Sequence, residues 1–383
     1  MRLPDALQSQ EVKCGLEFID NSIEQLIDEI SRITLIPSPT HAEHELASYY
    51  AERLSQAGVA DVKLDEQQNV CGWVRGVGAG PTLLMVAHLD TVFPVETELF
   101  VRRDQHRLYG PGIGDDSTGL AALLFAARAL TESKLALRGN LVVAGTSCEE
   151  GLGNLKGMKS LMKTLEHQLD MVIAVEPSRI GRITNRGVGS KRFKISAITG
   201  GGHSFGAFGN ASAIHALCRV VVGIDDMEVP VEPKTTYNVG KISGGVSVNT
   251  IAPKADLELD LRSVSQATLE AVEQRVHEIV KAVARSSGAN METVLIGDRP
   301  AGETGEDASL VHTVRSVHSV LGIDSFMSAG STDANVPMWL GVPAVTVGVT
   351  TGANTHSADE YIDIAPLAAG VKQLFLLMAC ILG

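Results

Sequence analysis

Cysteine is sparse in this sequence: five thiols among 383 residues (Cys14, Cys71, Cys148, Cys218 and Cys380), none in CxxC spacing. An odd, scattered set fits reduced thiols and argues against a disulfide framework or a cysteine-ligated structural zinc site. No stretch offers the ~18 consecutive apolar residues that a membrane-spanning helix needs. The first twenty residues lack an apolar run behind a basic start, so neither a membrane association nor a secretory signal is expected. Positive charge is the minority sign, since 32 Lys and Arg against 45 Asp and Glu leave a net charge of −13. That balance argues against a general nucleic-acid or anionic-membrane surface. Low-complexity tracts are also missing, and the expectation is a cytoplasmic globular protein.

What is present is 44% hydrophobic and 20% charged residues, the ordinary globular proportion, on a chain long enough for two domains. The first half alternates helix and strand patterns. Helical periodicity through "SIEQLIDEISRITL" is followed by "SPTHAEHELASYYAERLSQAG", where Ser38 or Thr40 is positioned to cap a second helix. "PTLLMVAHLD" then reads as a buried strand, "DDSTGLAALLFAARALTES" as a helix, and "GNLVVAGTSCEEG" and "DMVIAVEPS" as further strands. This order predicts a mainly parallel-sheet α/β domain, in which ligands sit outside the carboxyl ends of the strands.

Between residues 187 and 297 the order becomes βαββαβ, the ferredoxin-like split unit. In "ADLELDLR", Leu257, Leu259 and Leu261 alternate with Asp256, Glu258, Asp260 and Arg262, which puts one face on the helices and leaves the other polar. The α/β pattern returns after residue 298. The expected organisation is one domain over residues 1–186 and 298–383, with a second inserted over 187–297.

Candidate chemistry gathers at the strand ends. His88 and Asp90 stand two apart at the end of "LLMVAHLDTVFP" and therefore share a face. Glu149 and Glu150, Glu176 and His356 fall at other strand ends or loops, and Asp115 and Asp116 lie where "YGPGIGDDSTG" enters a helix. Each has an ordinary alternative, such as a helix cap for Asp116 or a solvated turn for the glutamate pair. Together, two histidines and three carboxylates suit two divalent ions ~3.5–4 Å apart with one carboxylate bridging. Without thiolates, copper(I) and iron–sulfur chemistry lose ground. A carboxylate beside the ions, for which Glu149 is placed, can act as general base.

"HLDTVFP", "LYGPGIGDDSTG", "SCEEGLGNLKG", "VEPS", "GGGHSFGAFGNAS" and "NTHSADEYID", in this order, resemble the family of two-zinc exopeptidases and deacylases that includes aminoacylase, glutamate carboxypeptidase, acetylornithine deacetylase, succinyl-diaminopimelate desuccinylase and tripeptidase (peptidase T). The resemblance implies one metal held by His88 and Glu176, the other by Glu150 and His356, with Asp115 bridging across a cis Asp115–Asp116 peptide. It implies that Asp90 orients His88, that Glu149 is the base, and that the inserted domain is a lid carrying a homodimer interface. His203 matches an oxyanion-stabilising histidine, and Asn249 and Arg262 match lid positions that hold a substrate carboxylate. Arg262 has an alternative in pairing with Asp260 or Glu258. Ser331, in "SAGSTDANVP", is a substrate contact or a helix cap.

The resulting expectation is a metal-dependent amidohydrolase cleaving a terminal amide bond of small peptides or N-acyl amino acids, carboxypeptidase- or deacylase-like. Its metals would be zinc, with cobalt or manganese as alternatives. A tripeptidase of aminopeptidase polarity is the second reading within the family, and a catalytically silent metal-binding assembly protein is the reading from another class.

Overall fold

The computed structural model describes residues 3–165, 168–177 and 179–383; Met1, Arg2, Glu166, His167 and Ser178, the last residue of the "VEPS" run, lie outside them. The chain divides into two compact units, Met1–Gly187 with Glu303–Gly383, and Val188–Gly302.

Among the described residues, the first unit is built on a nine-stranded mixed sheet. Its centre is parallel: Asn140–Thr146, Thr82–His88, Met171–Glu176 and Ala344–Gly348 lie side by side. All seven residues of Thr82–His88 are buried, as a strand covered on both faces requires. Helices Gly119–Ser133 and Leu367–Leu382 belong to the main core, and Lys156–Thr164 to a smaller apolar cluster. At Gly15, in helix Gln10–Asn21, an added Cβ would fall 2.3 Å from Phe375 Cζ, so the absence of a side chain permits that close packing. Antiparallel strands extend the sheet, with Val70–Val74 and Ala60–Leu64 on one side and Arg182–Gly187 on the other.

The cap expected from Ser38 or Thr40 does not form. The helix begins later, as His44–Gln56, without a side-chain cap, and the Thr40 hydroxyl instead donates to Asp90 Oδ2 at 2.8 Å. Thr40 stands four residues before the first helical residue, too far ahead to cap it, and its hydroxyl serves the buried carboxylate.

The second unit is a four-stranded antiparallel sheet in the order Thr235–Gly244, Lys254–Ser263, Gly189–Ile198, Asn290–Arg299. With helices Ala213–Asp225 and Gln266–Ser287 this is the ferredoxin-like arrangement. Leu257, Leu259 and Leu261 are buried against those helices while their neighbours on Lys254–Ser263 are partly exposed. The helices start where Ser212 and Ser265 accept the main-chain N–H groups of His215 and Thr268. Among the described residues, no helix is long and apolar enough to cross a membrane.

Candidate metal centre

The strand ends of the first unit deliver the side chains. His88 and Glu176 are the last residues of their strands, and Glu149 and Glu150 lie in the loop after Asn140–Thr146, beyond Ser147 and Cys148. Asp115 lies in an irregular turn, Ile113–Thr118, that leads into helix Gly119–Ser133. The peptide between Asp115 and Asp116 is cis. His356 sits in the loop between the short strands Gly352–Ala353 and Tyr361–Asp363, with a left-handed backbone (φ 69°).

Asp115 is the centre of the arrangement. Its Oδ1 lies 2.8 Å from His88 Nε2, and its Oδ2 lies 3.2 Å from His356 Nε2. His356 Nε2 is also 2.8 Å from Glu150 Oε1. Ligating atoms of His88, Asp115 and Glu150 fall within 4.8 Å of one another. Two imidazoles thus face opposite oxygens of one carboxylate, a nitrogen and oxygen donor set that fits a divalent ion on each side. Glu176 ends the neighbouring strand, outside that trio.

Asp90 meets the other ring nitrogen of His88. The main-chain carbonyl oxygen of Asp90 lies 2.8 Å from His88 Nδ1, and its carboxylate Oδ1 lies 3.7 Å from the same nitrogen. Its carboxylate is occupied by Thr40 and by the N–H groups of Glu149 (2.8 Å to Oδ1) and Glu150 (2.9 Å to Oδ2). Glu43, fully buried, accepts the N–H of Cys148 at 3.0 Å. Two carboxylates from distant segments therefore hold three successive N–H groups of the loop that presents Glu149 and Glu150. Glu149 itself is 5% exposed.

Charge compensation follows this geometry. Burial alone would depress His88, but Asp115 and Asp90 raise its pKa well above the ordinary imidazole range. His356 is raised to about 10 by its contacts with Asp115 and then Glu150. Burial would raise Asp115, yet His356 and His88 hold it below the usual carboxylate range. Glu176 is pushed well up by burial and by the Asp115 charge. A divalent cation would invert these relations.

Glu360 was not singled out as a site residue, although it lies in the quoted "NTHSADEYID". Its buried carboxylate accepts from the main-chain N–H groups of Gly112, Gly114 and Asp115. Burial and Asp115 push it up to about 7, with the three N–H groups pulling the other way. The only sequence signal was its spacing four residues after His356.

Ser331 lies just beyond strand Phe326–Gly330 and is not the cap of helix Asn335–Trp339. That turn is closed instead by Thr332 and Asn335, whose Oδ1 accepts the Thr332 N–H at 3.1 Å.

In the second unit, Gly202–His203 pairs with Thr250–Ile251, which brings His203 beside the segment of Asn249. His203 Nδ1 accepts the N–H groups of Phe205 and Gly206, each at 3.2 Å, so the neutral ring carries its proton on Nε2. The Asn249 amide oxygen accepts from the Ser247 hydroxyl. Arg262 pairs through Nε with Asp260 at 2.7 Å, and Arg192 shares the same carboxylate at 2.9 Å. Glu258 pairs with Lys241 instead.

Residues 84–379 match the family described as peptidase family M20/M25/M40. Succinyl-diaminopimelate desuccinylase of Acinetobacter baylyi is 25% identical over 367 residues, 86% of this chain and 92% of that protein. Among solved structures, the aminopeptidase PepT of Bacillus cereus superposes with a TM-score of 0.80 at 21% identity, covering 94% of this chain and 98% of its own. A tripeptidase of Staphylococcus aureus gives 0.81 at 23%, covering 93% and 98%.

Proposed function

The chain belongs to peptidase family M20/M25/M40, and from that premise we propose that it uses two divalent ions to hydrolyse the terminal amide bond of a small peptide or N-acyl amino acid. The carrying observation is Asp115, with one oxygen turned to each imidazole. His88 and Glu176 would hold one ion and Glu150 and His356 the other, with Asp115 shared between them. Nitrogen and oxygen ligands suit zinc, with cobalt or manganese as substitutes. When bound, the ions polarise the scissile carbonyl and acidify the attacking water.

The protein's own groups do the rest. Glu149, held in place through its N–H by Asp90, takes the proton of the water and returns it to the leaving amine. His203 offers a fixed Nε2–H donor for the developing oxyanion. Arg262 pairs with Asp260 through Nε and keeps 42% of its side chain exposed. This supports recognition of a substrate carboxylate by Arg262, helped by Asn249, and hence carboxypeptidase or deacylase polarity. Ser331 is kept as a substrate contact from the first unit.

The second unit serves as lid and dimer contact. Its edge strand Thr235–Gly244 and the adjoining turn expose Ile242, Val246 and Val248, apolar groups on an edge open to pairing. Light scattering that finds only an active monomer would remove the dimer. A cytoplasmic location completes the reading.

Glu149→Ala and Glu150→Ala test the core assignment. The first should keep metal and lose ~10²–10⁴-fold in kcat, whereas the second should lose metal; a Glu149→Ala enzyme of near-normal kcat refutes the base. Preference for tripeptides with free amino termini over N-acyl amino acids would move the assignment to tripeptidase. Metal binding without hydrolysis of any amide would leave the silent assembly protein.

A further inference from the structure

Glu360 is 2% exposed, and its carboxylate is directed at backbone. Oε1 accepts from the N–H groups of Gly114 (3.0 Å) and Asp115 (2.9 Å), and Oε2 from Gly112 (3.1 Å). Its main-chain carbonyl accepts the Gly110 N–H at 3.0 Å. The glycine-rich approach to Asp115 is therefore fastened to one residue at four points. Only a carboxylate can accept on both sides, because a carboxamide presents donors to one of them. The fit is close: a Cβ on Gly114 would fall 2.5 Å from Glu360 Oε1.

The same residue lies on the chain segment of His356, four positions further on, in the stretch between Gly352–Ala353 and Tyr361–Asp363. One carboxylate thus joins the backbone of Asp115 to the loop that supplies the second histidine, and the two side chains meet at 3.2 Å. We propose that Glu360 is a positioning residue that fixes Asp115 relative to His356, so that occupation of both metal positions depends on it. It touches neither metal nor substrate and acts through the Asp115 backbone, in the way that outer contacts orient the ligands of metal sites. The inference rests on the two-metal reading above.

The test is titration of the chelator-treated full-length protein with Co²⁺. Stoichiometry and affinities are read by competition with a chelating dye, the visible cobalt spectrum is recorded, and the metal-free melting temperature is measured alongside. Wild type should bind two equivalents; if it binds none, the two-metal reading itself fails. Glu360→Gln should keep the metal-free melt but bind the second equivalent ~10–100-fold more weakly, with an altered spectrum. Gly114→Ala, whose methyl group displaces the same carboxylate, should reproduce that loss. Wild-type affinity for both equivalents in Glu360→Gln overturns the proposal. So does loss of the metal-free fold in both variants, because the carboxylate would then be structural.

Discussion

At the scale of single residues, buried polar groups in this protein do two different jobs, and His318 shows the one unrelated to the site. It is fully buried, with Nδ1 2.7 Å from Ser325 Oγ and Nε2 against Gln373. Burial holds its pKa below the ordinary 6.5, with Gln373 opposing. The unfolded chain therefore binds the proton more readily than the folded one. The neutral imidazole contributes fully above about pH 6.5, and that contribution drains away as pH falls toward the depressed folded value. Thermal melts from pH 7.5 to 5 should show wild type losing more stability than His318→Asn; parallel curves would remove His318 as the source. Residues of the proposed metal centre were legible for another reason. His88, Glu150, Glu176 and His356 stand at strand ends or loops that the hydrophobic pattern itself locates. Glu360 and Glu43 were not legible, because their meaning lies in main-chain N–H groups 245 and 105 residues away in sequence.

At the scale of elements, the loop after Asn140–Thr146 depends on partners outside itself. Cys148 adopts a left-handed backbone (φ 58°), a conformation that costs energy in a non-glycine residue and persists where surroundings enforce it. Glu43 and Asp90 provide that enforcement through the N–H groups of residues 148–150. Asp90→Asn should turn an amide donor toward one of those N–H groups and loosen the loop. The expected result is a ~10–100-fold fall in metal affinity or activity with the fold retained by circular dichroism. Unchanged metal binding and kcat would show the carboxylate to be dispensable. The parallel centre of the sheet was readable from continuous apolar runs. The edge strand Ala60–Leu64 was not, because its exposed and partly exposed residues show no alternating buried face.

At the scale of the whole molecule, the proposed carboxylate-binding Arg262 and the proposed base Glu149 belong to different units. If the second unit recognises a carboxylate, wild type should prefer an acid substrate over its carboxamide in kcat/KM, and Arg262→Lys should lose most of that preference. Lysine cannot reproduce the planar two-bond fork of guanidinium. Equal rates on acid and amide in wild type would shift weight to aminopeptidase polarity.

The two ends of the second unit have a consequence for its history. Ser190 and Arg299, near its entry and exit, are partners on neighbouring strands, and on the first unit's side the Thr304 N–H bonds the Asn185 carbonyl at 2.8 Å. More than a hundred residues thus leave the first unit and return within about one strand spacing, ~5 Å, so that to the remaining chain they amount to a long hairpin loop. Insertions with closely spaced ends are the kind that chains tolerate. Such a cassette can be exchanged, lengthened or recombined as one block, while the strands that end in His88 and Glu176 stay as they are.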